Sequence, residues 1–319
     1  MTHQSVLVTG ATGFIGAALC AHLATRGMTV HAASRRGLGA SLPDGARDFA
    51  VGEVGPDTDW RAALNGCSAV VHLAGVAHNK EGKSSDQSTF ERVNVEGATR
   101  LARAALEGGV RRFVFVSSIG VLGNRSDHPL TEADTPSPVD LYAHSKLDAE
   151  LQLTQLCAGT SMDLVILRPT LVYGPGCPGN LQRLMRLLET GLPIPFGAID
   201  SRRAMIGIEA LTTLIEACVL DPRAAGETFV AADDTASTLP ELVKTLAEGM
   251  GRRIRLVPVQ KSLLLAAAGL IGRAADIDRL TSPLLVDASK ARRLLGWRSQ
   301  IDQREGLLRT GAAFARNRR

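Results

Sequence analysis

The chain has 319 residues, of which 45% are hydrophobic and 21% are charged, and its formal net charge is +4. This size and composition support a large buried core and exclude disorder over any sizeable span. Aromatic residues make up only 4%, so the scattered arginine pairs lack the stacking partners of a single-strand nucleic-acid surface. We predict no nucleic-acid partner and instead a small phosphate-bearing ligand, because a guanidinium holds a phosphate through two hydrogen bonds.

Cysteine spacing and hydropathy indicate in which cellular compartment the protein is found. The cysteines are Cys20, Cys67, Cys157, Cys177 and Cys218. No two of them form a CxxC pair, so we predict no metal site and expect a reducing, cytoplasmic location. The chain starts without a signal-peptide pattern, and its most apolar stretch, residues 262–272, is shorter than the roughly 20 residues that span a bilayer. We predict no transmembrane segment and a core or interface helix at 262–272, and leave open a contact with a membrane surface or a partner.

In the first half, β-rich runs alternate with helical patterns. Strands are predicted at 5–10, 29–34, 69–75, 112–118 and 163–169, and amphipathic helices at 14–26, 89–108 and 142–157. Strands that are rich in Val and almost continuously apolar are typical of parallel strands covered on both faces. The alternation predicts an α/β fold with a Rossmann-type, doubly wound parallel sheet.

The pattern changes after Pro169, where a Gly/Pro loop at 173–180 interrupts the alternation. Helices are predicted near 180–191, 209–220 and 287–297, and strands near 203–208 and 227–233. We predict a dinucleotide-binding domain at 1–175 and a smaller, mostly helical substrate lobe at 176–319. The two later strands are expected to return to the sheet of the first domain.

A glycine-rich segment follows the first predicted strand and precedes the first helix. In VLVTGATGFIGAAL (6–19), Gly10 allows a tight turn, Gly13 lets a pyrophosphate approach the backbone, and Gly16 lets the helix pack closely. The helix N-terminus then offers N–H groups to phosphates. A glycine turn without a ligand is the alternative, but the flanking strand and helix favour dinucleotide binding.

The end of the second predicted strand indicates which dinucleotide is bound. A carboxylate at this position accepts the ribose 2′-OH of NAD. Here the position carries Ser34, followed by Arg35 and Arg36, which suit a 2′-phosphate. NADP(H) is therefore favoured, with NAD(H) as the alternative; a solvated basic turn is the non-functional interpretation.

One of the chain's two tyrosines, Tyr142, lies four residues before Lys146 in LYAHSK. On one helix the two side chains face the same way, and an ammonium beside a phenol lowers its pKa toward the range of efficient proton transfer. Ser117 and Ser118 end a predicted strand at the carboxyl edge of the sheet, where ligands of such sheets bind. An exposed Tyr–Lys pair is the alternative, but the glycine segment favours catalysis.

Together these segments resemble the extended short-chain dehydrogenase/reductase family, in its NAD-dependent epimerase/dehydratase (nucleotide-sugar) branch. TGATGFIG is similar to the family's cofactor loop, VVHLAG to its strand beneath the nicotinamide ribose, and YAHSK to its YxxxK pair. The resemblance implies that Tyr142 is the general acid/base and that Lys146 holds the ribose and lowers the pKa of Tyr142. It further implies that Ser118 polarises the substrate oxygen and that Asn94 braces the site. The cofactor-binding residues that it implies are Gly10, Thr12, Gly13, Phe14, Ile15, Gly16, Ser34, Arg35, Glu53, Val54, Leu73, Ala74, Gly75, Tyr142, Lys146 and Pro169.

The resemblance also implies a site for a UDP-sugar. Asn180 and Arg203 match family residues that contact the substrate diphosphate, Arg279 matches a further arginine, and His78 would line the sugar site beside Ser118. A diphosphate needs bidentate, charge-assisted donors. For each of these residues an ordinary polar surface position is the alternative.

This set of residues moves hydride between a nicotinamide and the carbinol carbon of a secondary alcohol. Ile119 and Gly120 replace the Asp–Glu pair of the family's dehydratases and argue against dehydration. We favour a 4-ketoreductase of a UDP-4-keto-6-deoxy-N-acetylhexosamine, because Ser34–Arg35 and the segment RRAMIGI depart from the family's 4-epimerases. The alternative is a UDP-glucose or UDP-N-acetylglucosamine 4-epimerase with tightly bound NAD.

Two further interpretations stay open. A non-catalytic, NADP-sensing regulator or assembly factor would keep the glycine segment but usually lacks the Tyr–Lys–Ser set. A reductase of steroid- or flavonoid-like alcohols would not need Asn180 and Arg203 to face a diphosphate. The resemblance also implies a homodimer formed through two long helices.

Overall fold

A parallel sheet forms the centre of the fold, and a smaller sheet accompanies it. The computed structural model describes residues 4–39, 42–77, 86–270, 272 and 274–316. The strands of these residues are β1 (Ser5–Thr9), β2 (Thr29–Ser34), β3 (Ala46–Ala50), β4 (Ala69–His72), β5 (Arg112–Val116), β6 (Ser126–Leu130), β7 (Asp163–Pro169), β8 (Leu171–Tyr173), β9 (Arg202–Gly207), β10 (Thr228–Ala231), β11 (Ala236–Thr238) and β12 (Leu284–Val286).

The helices lie between these strands and beyond them. They are α1 (Phe14–Thr25), α2 (Arg61–Leu64), α3 (Gln87–Phe90), α4 (Gly97–Glu107), α5 (Leu141–Cys157), α6 (Asn180–Glu189), α7 (Ile208–Leu220), α8 (Leu239–Gly249), α9 (Lys261–Gly269), α10 (Ala274–Thr281), α11 (Ser289–Leu295) and α12 (Gln303–Arg316). A π-helical turn, Glu91–Glu96, joins α3 to α4, and a 3-10 turn, Ile119–Val121, follows β5. Within the described residues, no helix is long and apolar enough to cross a membrane.

The larger sheet has seven strands in the order β10-β7-β5-β4-β1-β2-β3, and every pairing is parallel. Helices α1 and α7 cover one face around Leu19 and Leu214, and α4 and α5 cover the other around Leu101 and Leu153. The predicted doubly wound α/β fold is therefore confirmed. The strand order reverses between β1 and β4, so the ligand crevice of such a sheet lies at the carboxyl ends of these two strands.

The strands predicted in the first half are present as β1, β2, β4, β5 and β7, and the predicted helices as α1, α3 with α4, and α5. Strand β3 was not predicted. Its sequence, ARDFA, has no buried residue and lies at the sheet edge, so it lacks the apolar pattern of the central strands.

The prediction for the strand near 203–208 was wrong in its placement. Strand β10 pairs with β7 as expected, with Phe229 opposite Leu167. Strand β10 forms the backbone hydrogen bonds along the outer edge of β7. Strand β9 therefore pairs elsewhere, with β8, β11 and β12. The second sheet has the order β11-β9-β12-β6, so it also recruits β6 from the part of the chain assigned to the first domain.

A buried polar cluster joins the two sheets. Tyr173 of β8 donates a hydrogen bond of 2.7 Å to Asp233, which follows β10, and Gly207 N–H donates to the other carboxylate oxygen. Gln303 of α12 also donates to Asp233. One carboxylate, that of Asp233 after β10 of the larger sheet, thus holds β8, β9 and α12 to the central sheet.

Helix α9 covers most of the apolar segment 262–272, and it lies on the surface. Leu263 is 61% exposed and Leu270 is 91% exposed, whereas Ala268 is buried. The segment is therefore not a core helix, and the alternative of an interface helix stays a prediction. Leu264 is partly buried against the apolar cluster that includes Leu239 and Leu246 of α8.

Gly16, the third glycine of the loop, leaves no room for a side chain. A Cβ atom on Gly16 would lie 2.1 Å from the Gly10 carbonyl oxygen and 2.9 Å from Ala11 Cα, so α1 would have to move off the loop. We expect Gly16→Ala to lower the free energy of unfolding by about 1–3 kcal/mol. Gly269→Ala, at an open position of α9, is the control and should cost nothing. Equal denaturation midpoints for the two variants would contradict this account.

Candidate active site

The glycine loop forms a cradle between β1 and α1. Gly10 has φ +69°, and a Cβ on it would lie 3.0 Å from the backbone nitrogen of Ala74 in the loop after β4. Gly13 precedes α1, whose start has neither a side-chain cap nor an acidic residue in the first turn. The first N–H groups of α1, at Phe14, Ile15 and Gly16, therefore point toward the loop with the positive end of the helix dipole.

Thr9 and His72, which were not among the predicted site residues, order the floor of this cradle. The hydroxyl of Thr9 accepts hydrogen bonds from the N–H groups of Leu73 and Ala74 and lies 2.8 Å from Nδ1 of His72. With both lone pairs used, the hydroxyl donates to Nδ1, which leaves the proton on Nε2. Burial and the charge of Lys146 lower the pKa of His72 to about 3, so this imidazole is neutral.

At the end of β2, the structure places Ser34 inside and its neighbours outside. Ser34 Oγ is buried and has no partner among the described residues. Arg35 and Arg36 are exposed in a bend, and neither has an ion-pair partner in the described part of the chain. The carboxylate of Asp48 holds the following loop by accepting the N–H groups of Leu38 and Gly39.

Glu53 and Val54 occupy different environments. Glu53 is exposed, with Arg92 4.0 Å away across the surface. Val54 packs against the start of α4, where a Cβ on Gly97 would lie 2.7 Å from it. Thr12 is exposed between Ala11 and Gly13, on the loop. Thr12 and Glu53 are thus accessible to solvent, whereas Val54 packs against α4.

A cavity of about 260 Å³ lies at the carboxyl edge of the central sheet. The residues that line it are Ile15, Leu73, Gly75, Ala77, Val116, Ser117, Ser118, Tyr142, Lys146, Pro169, Thr170 and Val172. It therefore brings together predicted residues of the cofactor loop, the Tyr–Lys helix and the two strand ends. Ser117 Oγ is buried at its wall without a partner among the described residues.

Tyr142 stands near the beginning of α5, beside Ser118. The Ser118 side chain hydrogen-bonds to the phenol and also accepts the N–H of Gly120. Burial raises the pKa of Tyr142 to about 12, with the charge of Asp140 acting in the same direction and the hydrogen bond with Ser118 opposing the shift. The expected lowering of this pKa by Lys146 is not seen, because the ammonium is directed elsewhere.

Lys146 is buried and points at the sheet. Its Nζ donates a hydrogen bond of 2.9 Å to the Val116 carbonyl oxygen and lies 4.6 Å from the centre of the Phe115 ring. Burial lowers the pKa of Lys146 to about 8, and Glu150, one turn later, opposes this shift. Gly75 is close as well, since a Cβ on it would lie 3.7 Å from Nζ.

The side chain of Asn94 connects α5 with the loop after β4. It is buried in the π-helical turn, accepts the Val76 N–H, and donates to the Val76 carbonyl oxygen and to Ser145 Oγ. Ser145 in turn donates to the Tyr142 carbonyl oxygen. The side chain thus ties the loop after β4 to the turn of α5 that carries the phenol.

A second brace was not predicted. Arg168, at the end of β7, donates to both carboxylate oxygens of Glu150, at 3.1 and 2.6 Å, and both side chains are buried. Glu150 lies two turns after Tyr142 on the same face of α5. The spacing of Tyr142, Lys146 and Glu150 could have indicated this, since positions separated by four residues share a helix face.

The substrate-side residues are only partly assembled. Arg203 of β9 donates to the Ser282 carbonyl oxygen at 2.6 Å, and burial together with the charge of Arg279 lowers its pKa to about 10. Arg279 of α10 forms an ion pair of 2.5 Å with Asp140. Asn180 is exposed at the start of α6, 3.5 Å from Arg183, and His78 lies outside the described residues.

The buried ammonium makes the stability depend on pH. The unfolded chain holds the Lys146 proton up to about pH 10.5, whereas the folded chain releases it near pH 8, so raising the pH through this window stabilises the fold. We expect the free energy of unfolding to rise by about 2 kcal/mol between about pH 7.5 and about pH 9.5, relative to Lys146→Met. Lys244→Met removes an exposed ammonium and keeps Lys146, so its stability should rise with pH as that of the parent does. The same pH dependence of stability in Lys146→Met and Lys244→Met would contradict the assignment.

Comparisons with known proteins agree with this geometry. The NAD dependent epimerase/dehydratase family matches residues 6–219. A UDP-glucose 4-epimerase of Vibrio cholerae is 37% identical over 316 residues, which cover 98% of this chain and 95% of the relative. MoeE5 in complex with UDP-glucose and NAD superposes with a TM-score of 0.79 at 26% identity, covering 99% of this chain and all of that one (100%). An epimerase of Methanothermobacter thermautotrophicus gives the same TM-score, 0.79, at 26% identity, covering 98% and 93%.

The family match extends over more than half of the chain and includes the glycine loop, Ser118, Tyr142 and Lys146. The Vibrio relative extends the likeness through the second sheet and the C-terminal helices. The chain therefore belongs to the NAD dependent epimerase/dehydratase family.

Proposed function

We propose that the protein is an oxidoreductase that acts at C4 of a UDP-sugar, and specifically a 4-ketoreductase of a UDP-4-keto-6-deoxy-N-acetylhexosamine. The observation that carries the proposal is the meeting of Tyr142, Ser118 and Lys146 in one cavity with the residues after β4 and β7. The intact set argues against a non-catalytic, NADP-sensing role. The relatives supply the substrate class, since one is named a UDP-glucose 4-epimerase and another holds UDP-glucose and NAD.

The residues present fit a bound dinucleotide. The backbone around Gly10 and Gly16 leaves no room for a Cβ atom. Ser34 Oγ and Ser117 Oγ, which are buried and without a partner among the described residues, lie at the two ends of the site. We assign the phosphates to the N–H groups of α1 and the nicotinamide ribose to Lys146 and Tyr142. The cofactor, when bound, supplies or accepts the hydride.

Each protein group then has one task. Ser118 and Tyr142 both hydrogen-bond the C4 oxygen of the substrate, and Tyr142 gives this oxygen its proton. With a pKa of about 12 the phenol holds its proton at neutral pH, and it can donate that proton to a C4 oxygen that gains alkoxide character during reduction. Lys146 holds the ribose hydroxyls, and Asn94 keeps the phenol at its place on α5.

Two guanidinium groups face the diphosphate in this proposal. Arg203 and Arg279 lie close enough for the charge of one to lower the pKa of the other. Two neighbouring cations that are partly withdrawn from water favour a doubly charged ligand between them. Asn180, exposed at the start of α6, would contact the same diphosphate only after the substrate has bound.

The end of β2 favours reduction with NADPH. Ser34 replaces the acidic residue that suits NAD, and the exposed Arg35 and Arg36 are available to a 2′-phosphate. A 4-epimerase that keeps its NAD is the second candidate, and the Vibrio relative favours it. Both reactions use the same proton donor. They differ in whether the reduced cofactor is consumed or regenerated within the site.

Two further assignments belong to this proposal. We expect a homodimer, with α4 and α5 as the contact, since Leu141 and Leu151 of α5 are exposed at 45% and 60%. We also expect a cytoplasmic location, in keeping with cysteines that are all buried and reduced in the structure.

The nucleotide that leaves the freshly purified protein on denaturation decides between the two reactions. We expect no stoichiometric NAD or NADH, tighter binding of NADPH than of NADH, and oxidation of NADPH by a UDP-4-keto-6-deoxy-N-acetylhexosamine. Arg35→Glu should reverse the coenzyme preference, while Arg47→Glu, on the neighbouring strand β3, should not. One equivalent of released NAD would reject the reductase and assign the 4-epimerase.

The affinity for UDP tests the class of substrate. Arg203→Leu should weaken UDP binding roughly tenfold or more, because a charge-assisted contact to the diphosphate is lost. Arg202→Leu, at the adjacent exposed position, is the matched control and should leave the affinity unchanged. Titration calorimetry measures both. If Arg203→Leu binds UDP as the parent does, a reductase of steroid- or flavonoid-like alcohols becomes the better assignment.

A further inference from the structure

The solvent side of α9 is apolar, although the helix lies on the surface. The exposed residues that share this side through spacings of three and four are Leu263, Ala266, Ala267 and Leu270. A surface helix normally turns such a stripe toward the core and presents charged residues to water. Here Leu264 and Ala268 face the protein instead. Helix α9 therefore has apolar residues both on its inner side and on its outer side.

The segment that leads into α9 is basic. Residues 249–270 include four basic side chains and no Asp or Glu. Arg252, Arg253 and Arg255 are exposed, and within the described part of the chain none of the three forms an ion pair or a side-chain hydrogen bond. The fourth, Lys261, pairs with Asp278 at 2.8 Å. Three guanidinium groups next to an apolar helix thus have no negative partner among the described residues.

Chain connectivity and packing keep these arginines beside exposed leucines. Five residues lie between Arg255 and the start of α9, which limits their separation to about 21 Å. Ile254 and Leu264 are partly buried against the same apolar cluster, so the two segments cover one part of the protein. Ile194 N–H donates a hydrogen bond of 2.9 Å to the Arg255 carbonyl oxygen, and Leu192, two residues earlier, is exposed. We call the surface formed by Leu192, Arg253, Arg255, Leu263 and Leu270 the α9 surface.

We propose that the α9 surface binds the headgroup region of a membrane that contains anionic phospholipids. Helix α9 has nine residues and is about 14 Å long, so it lies in the plane of the interface. Its leucines enter the boundary between headgroups and acyl chains, and the arginines pair with lipid phosphates. The contact uses none of the residues assigned to the reaction, so it is independent of the proposed function.

Charge favours an anionic lipid surface over a second copy of the chain. In a twofold dimer the same patch lies on both sides of the contact, so two α9 surfaces would bring the uncompensated Arg253 and Arg255 of both copies together. Like charges that face each other across a contact oppose association. A phospholipid surface instead offers phosphates to the arginines and an apolar layer to Leu263 and Leu270.

Flotation of the full chain with vesicles tests this proposal. We expect the protein to float with phosphatidylcholine vesicles that contain about 30% phosphatidylglycerol, and to stay in solution with phosphatidylcholine alone. A rise in salt from about 0.05 M to about 0.5 M should weaken the binding several-fold, because salt screens exposed charges. Absent binding to the anionic vesicles, or equal binding to both kinds, would overturn the proposal.

Charge reversal identifies the surface that binds. Arg253→Glu combined with Arg255→Glu should lower the vesicle affinity roughly 25-fold or more, since each basic residue near an anionic surface contributes roughly fivefold. Arg47→Glu combined with Arg111→Glu is the matched control. These two exposed arginines lie at the amino ends of β3 and β5, at the sheet edge opposite the cavity, and their reversal should leave the affinity unchanged. Equal losses in the two double variants would show attraction by net charge alone and reject the α9 surface.

A leucine variant tests the apolar part of the contact. Leu270→Ser should lower the vesicle affinity roughly tenfold, because this side chain no longer gains from leaving water. Leu220→Ser, at the exposed end of α7, is the control and should bind as the parent does. Both side chains are exposed, so the denaturation midpoints should stay unchanged. If Leu270→Ser instead shifts the elution on gel filtration and leaves vesicle binding as it was, a second copy of the chain covers α9 and the proposal is wrong.

Discussion

The buried ammonium of Lys146 is the constraint on which the active-site geometry depends. Burial of an unpaired charge costs free energy, so neighbouring groups must stabilise the ammonium. The Val116 carbonyl oxygen and the Phe115 ring face do so and fix α5 against β5, and Glu150 adds a negative charge one turn later on the same helix. Tyr142 is one helical turn earlier, so its place at the cavity follows from that contact.

Several other polar contacts hold the same helix in place. Asn94 holds α5 to the loop after β4, and the pair of Arg168 with Glu150 holds it to β7. His72 stays neutral beneath the site because burial and the Lys146 charge both oppose its protonation. The helix is thus tied to three neighbouring strand ends of one sheet, which is where a ligand of such a sheet lies.

The two sides of the site are built in different ways. The cofactor side consists of backbone and glycine, so a short local segment is enough to make it. In the function that we propose, the substrate side consists of charged side chains from β9 and α10. The strand β9 is held to the central sheet through Asp233, which contacts Tyr173, Gly207 and Gln303. The proposed reaction would thus depend on a contact that contains none of the reacting groups.

Features that are local, or that repeat with a regular period, could be predicted from the amino-acid sequence. The glycines at 10, 13 and 16, the four-residue spacing of Tyr142 and Lys146, and the alternation of strands and helices follow from the geometry of single turns and elements. The sheet that β9 joins, the exposure of α9, the pairing of Arg168 with Glu150 and the upward shift of the Tyr142 pKa could not be predicted in this way. Asp140 and Arg279 are separated by 139 positions. Contacts of this kind depend on strand order and on the removal of water from buried groups, and neither is encoded in the period of a single segment.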